Sequence, residues 1–148
     1  MSKAKVKKKV KTPEPEKLTI ESVTDICSSF IEQYNLLDTL ELGSWKVKLK
    51  IEDQLDEDGR YLGLCQFDRA YGIAEIHIAV DPHKDAEDIK DTLIHELVHI
   101  VLHEIDSSAK DMITTVPKKM RKYVTEQMHV ARERSVISVS NSFRKIFR

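Results

Sequence analysis

The sequence predicts an α+β fold, because its hydrophobic period changes from helical to strand-like and back along 148 residues. Apolar residues recur at helical spacing near residues 19–37 and again near 86–105. Between these stretches Trp45, Val47, Leu49 and Ile51 alternate with Lys46, Lys48, Lys50 and Glu52, the pattern of a half-buried strand. A charged fraction of 33% beside a hydrophobic fraction of 41% fits a globular chain with a well-solvated surface.

The elements follow in order. Residues 1–17 read as a flexible leader that ends in Thr12-Pro13-Glu14-Pro15-Glu16, and residues 18–148 as one domain. Thr19 or Glu21 opens a first helix, which runs to about Leu37 and carries Val23, Ile26, Cys27, Phe30, Ile31 and Tyr34 on one face. A core-packing face is the expectation there rather than a partner site. After the Trp45 strand, Asp56-Glu57-Asp58-Gly59 supplies a turn, and Tyr61 to Asp68 forms a second strand. Gly72 marks a turn into a third, where Ala74, Ile76, Ile78 and Val80 alternate with Glu75, His77 and Ala79. Short connections imply a mainly antiparallel meander of three or four strands. Asp81-Pro82 closes the sheet, and Asp85 is the expected N-cap of a helix from Ala86 to about Ile105. A connection of about ten residues should follow, with Pro117 starting a last helix through much of the C-terminus.

Charge is unevenly distributed. Six lysines and no acid stand in residues 1–11, which leaves 18 basic against 25 acidic residues in the remainder. Such a tail can make weak contacts with nucleic acid, although no aromatic residue interleaves the lysines for base stacking; a solubilising tail is the simpler expectation. No apolar run approaches the roughly 20 residues of a membrane span, and no apolar segment follows the basic start as in a secretory signal. A cytoplasmic setting is therefore expected, with Cys27 and Cys65 reduced.

The chemistry is concentrated in His95-Glu96-Leu97-Val98-His99, which falls inside the second helix. Residues i and i+4 share a helix face, with Cβ atoms roughly 5–6 Å apart. Two imidazoles at that spacing can converge on one Zn²⁺, whose bonds to nitrogen are about 2.0–2.1 Å long. Glu96 stands aside from the ligand pair, placed to act as a general base.

A catalytic zinc site needs a third protein ligand. His103 continues the i, i+4 series, but roughly 12 Å of helix rise separates it from His95, too far for one ion. It is expected to support the site from outside or to end the helix. The last helix offers Glu126, with His129 three residues on and Glu133 continuing the same face. Glu126 is the favoured ligand, which leaves His129, Tyr123 or Arg132 to stabilise an oxyanion; His129 is the alternative ligand. His77 is expected to be an exposed strand residue that could line a cleft, and His83 a loop residue.

The run Thr92 to His103, set between a sheet and a further helix, resembles the zincin metallopeptidases, in particular the small gluzincin-like group. Phage and bacterial metallopeptidases of that size, the ImmA/IrrE family and the SprT-like domain are the subgroups concerned, and the likeness covers roughly residues 19–140. ImmA/IrrE-like proteins often carry a histidine four residues after the motif, as His103 stands here. The resemblance implies a zinc-dependent peptidase with His95 and His99 as ligands, Glu126 less securely as the third, and Glu96 as catalytic base. It also implies a peptide or protein substrate, expected to lie extended along the strand Ile76 to Val80. The chain departs from the SprT-like pattern in lacking a cysteine-rich zinc ribbon, and shows no helix-turn-helix. The rival expectation is a non-catalytic, zinc-stabilised binding or regulatory module that uses the basic tail.

Overall fold

The computed structural model describes residues 17–147. The lysine-rich leader, Lys17 apart, and any nucleic-acid contact made by its lysines lie outside the described residues.

The described residues form an α+β fold of five helices and one three-stranded mixed sheet. Helix α1 spans Ile20–Gln33 and opens on a capping box, with the Thr19 hydroxyl accepting from the Ser22 amide and Ser22 accepting in return. A single turn, α2 (Leu36–Thr39), follows where the sequence suggested one continuous helix. The break falls at Asn35, whose φ of 45° is left-handed, a conformation asparagine tolerates better than most residues.

Strands β1 (Lys46–Glu52), β2 (Gly63–Asp68) and β3 (Ile73–Ala79) are ordered β1-β3-β2. β2 and β3 form the expected antiparallel hairpin, but β1 pairs with β3 in parallel. The meander is thus corrected to a mixed sheet, and the reason lies in burial. Ala74, Ile76 and Ile78 face the helices, while His77 and Ala79 on the opposite face are buried too. Glu52 and Glu75 flank and shield His77, and the more apolar β3 belongs in the centre, whereas β1 and β2, exposed at alternate positions, suit the edges. The Asp56–Gly59 turn does form, with Asp56 Oδ1 accepting from the amides of Arg60 and Tyr61. It reverses the chain across the sheet rather than joining neighbours.

Helix α3 (Ala86–Val101) begins as expected, with Asp85 accepting from the amides of Glu87 and Asp88. It ends four residues earlier than expected. The predicted loop is instead a further helix, α4 (His103–Ile113), and α5 (Lys118–Ile146) returns antiparallel to α3. Ile89, Leu93, Leu97 and Val98 of α3 join Val23 and Cys27 of α1, Ile76 and Ile78 of β3, and Val136 of α5 in one core. Burial of such side chains contributes about 1.5–3 kcal/mol each. The C-terminus is pinned where Phe147 packs on Phe30 and Tyr34, with ring centroids 6.5 and 5.2 Å away. Among the described residues no helix is long and apolar enough to cross a membrane, and both cysteines are free thiols.

Candidate metal centre

α3 holds His95 and His99 on one face, with ring centroids 5.0 Å apart. α5 crosses this face and brings in Glu133. Its Oε2 lies 3.8 Å from Nε2 of each histidine. The ligand atoms of His95, His99 and Glu133 fall within 4.8 Å of one another, which makes them a group that could hold a metal ion. Two donors on a tetrahedral ion with bonds near 2.05 Å stand about 3.3 Å apart. Each Glu133–histidine distance needs closing by about half an ångström, and no pair of ligand atoms by more than about 1.5 Å, a shift within reach of side-chain rotation, so the residues fit. Two imidazoles and one carboxylate also form a donor set known for catalytic zinc.

Electrostatics favour the same reading. Burial pulls the His99 imidazole down to about 4 and lowers His95 as well, with Glu133 opposing in both cases. Both rings are therefore neutral near pH 7, with lone pairs available to a cation. Partial burial pushes the Glu133 carboxyl up. The Arg132 hydrogen bond and the positive charges around it outweigh that and hold it below its ordinary value.

Glu96 is buried one residue beyond His95, at 5% exposure. Burial first, and then the Glu133 charge, push its carboxyl up to about 8. Gly63, at the start of β2, makes room for it. A Cβ at Gly63 would stand 2.7 Å from Glu96 Oε1 and 2.8 Å from Thr92 Cγ2. Gly63→Ala should therefore overpack this contact, which costs about 1–3 kcal/mol of stability. Urea melts check this, and a variant as stable as the parent would show that Gly63 is not needed to make room for Glu96.

A cleft of about 560 Å³ opens over the group, between β2 on one side and Arg132, His129 and Arg144 of α5 on the other. The structure thus brings together His95, Glu96 and His99, but not Glu126. Glu126 is exposed on α5, seven residues before Glu133 and so about 10.5 Å away along the axis. His129 lines the cleft without joining the ligand group, and Tyr123 is exposed outside it.

The remaining histidines have other work. His103 opens α4 and stacks on Phe67 with a centroid distance of 3.9 Å, edge-on to Trp45 at 4.9 Å. It is a packing residue. His77 is not exposed, as expected from alternation, but buried. Its Nδ1 is 2.7 Å from Glu52 Oε1, while Nε2 lies 2.9 Å from Glu75 Oε1 without hydrogen-bond alignment. His83, expected in a loop, ties the sheet to α3. Nδ1 donates to the Ala79 carbonyl at 2.7 Å, and Nε2 lies 2.7 Å from Thr92 Oγ1, one turn before His95 and Glu96.

Among known proteins, no family model matches the chain, and neither a curated protein nor a solved structure is significantly similar to it.

Proposed function

We propose that the chain is a zinc-dependent peptidase of zincin-like arrangement, with His95, His99 and Glu133 as ligands and Glu96 as general base. The observation that carries this reading is the convergence of three ligand atoms beside a buried carboxyl that belongs to none of them. When bound, Zn²⁺ would supply Lewis-acid polarisation of a carbonyl and a more acidic water.

The chain's own residues supply the rest. Glu96 takes a proton from the attacking water and passes it to the leaving amine nitrogen, a task suited to a group that titrates near neutrality. Arg132 and His129, both lining the cleft, are donors for the carbonyl oxygen as it gains charge. An extended substrate adds to the sheet as a further strand. The strand that receives it is corrected from Ile76–Val80, which is central, to β2, an edge strand with Leu62, Gly63 and Leu64 on the cleft wall.

The test is hydrolysis of a broad panel of unstructured proteins and peptides by the full chain. Cleavage that stops when a chelator strips the metal and resumes with stoichiometric Zn²⁺ is the expected result. Stoichiometric zinc without cleavage of any substrate would favour the non-catalytic module.

A further inference from the structure

The two carboxylate oxygens of Glu133 face different neighbours. Oε2 is turned to the imidazoles, 3.8 Å from Nε2 of both His95 and His99. Oε1 accepts from Arg132 twice, from Nη2 at 2.8 Å and from Nε at 3.1 Å. Nη1 of the same guanidinium reaches back to Asp106 Oδ2 on α4, at 3.5 Å. Lys110 holds that Asp106 oxygen at 2.9 Å from one turn further along. The charges thus alternate in sign from α4 to the candidate ligand.

We propose that Arg132, anchored by Asp106, is a positioning residue that makes Glu133 a one-oxygen metal ligand. The inference rests on the zinc reading above. A carboxylate on a flexible side chain can swing about its last bond and offer an ion either one oxygen or both. Two N–H donors on Oε1 oppose that swing and occupy its lone pairs, so Oε2 alone is left for the metal. The guanidinium is planar and rigid, so its own direction matters, and Asp106 sets it. A ligand restricted to one oxygen keeps the coordination number low and a position open for substrate. α4, which contributes no ligand, thereby acts on the geometry of the centre.

The experiment uses the full chain with metal alone. Zn²⁺ affinity is measured by competition with a chromophoric chelator, and coordination by the visible absorption of the Co²⁺-substituted protein. Arg132→Gln should weaken Zn²⁺ binding about 10–100-fold, the usual cost of losing an outer hydrogen-bond partner of a ligand. Its Co²⁺ bands should also lose intensity as the freed Oε1 enters and the coordination number rises. A general loss of packing would not produce that spectral change. Asp106→Asn should move both readouts in the same direction by less. Parental affinity and an unchanged Co²⁺ spectrum in Arg132→Gln would overturn the proposal. Should that variant not fold, Asp106→Asn decides by the same two readouts. Glu133→Ala separates the premise from the inference: if it binds Zn²⁺ like the parent, Glu133 is no ligand and the zinc reading itself fails.

Discussion

Glu96→Gln is expected to keep its zinc and lose peptide turnover by about 10²–10⁴-fold, the usual contribution of a positioned general base. The amide is nearly isosteric, so the close fit against Gly63 survives while the proton acceptor disappears. A second consequence concerns stability and has the opposite sign. In the metal-free chain the folded carboxyl titrates at about 8, against an ordinary value of 4.5. The folded state therefore binds this proton more tightly than the unfolded state. Its contribution to stability is complete below about pH 4.5 and is lost as pH rises towards 8. Replacement by glutamine removes that loss. Metal-free Glu96→Gln should match the parent near pH 4.5 and exceed it by on the order of 4 kcal/mol at pH 8. Added Zn²⁺ should shrink the difference, since a nearby cation favours the ionised carboxylate of the parent. Denaturant melts at the two pH values, with and without metal, give the comparison. An equal gain at both pH values would mean that the charge of Glu96 is not the cause.

What the sequence made legible was local. The i, i+4 spacing places His95 and His99 on one face wherever the helix goes, and the Asp85 cap needs only the next three residues. The long final helix was equally plain from Pro117 onward. What escaped was decided by packing between distant segments. Alternation told which residues of β3 faced the helices, but not that the strand lies between two neighbours, so that Glu52 and Glu75 shield His77 on the other face. That central position, with β1 alongside in parallel, depends on pairing between distant segments. His103 is a similar case. Its distance from His95 set it apart from the ligand pair, but the aromatic slot that holds it, formed by Trp45 and Phe67, comes from two different strand regions. The helical signal in His103–Ile113 was weak because Ser107, Ser108, Asp106 and Asp111 read as loop chemistry. The axial position of α5, which no helical period carries, was not legible either.

That axial position decides the third ligand, and the metal content of Glu133→Ala against Glu126→Ala tests it. Helical phase cannot separate the two residues: seven positions apart, they lie on nearly the same face. Register along α3 can. α5 runs antiparallel, and three contacts fix its sliding: Arg144 pairs with Asp91 at 3.0 Å, Arg132 with Asp106 at 3.5 Å, and Phe147 is packed between α1 residues. Between these ties the residue opposite His95 and His99 is Glu133. For Glu126 to reach them, α5 would have to slide about 10.5 Å, breaking all three. Glu133→Ala should therefore cost more than the roughly 100-fold that marks the upper range for outer partners, so that the purified protein no longer retains stoichiometric zinc. Glu126→Ala should retain it, and His99→Ala should lose it. Elemental analysis after gel filtration distinguishes the outcomes, with melting of the metal-free forms to confirm that each variant folds. Zinc lost from Glu126→Ala but kept by Glu133→Ala would mean that Glu133 is no ligand, and the zinc centre proposed on His95, His99 and Glu133 would fall.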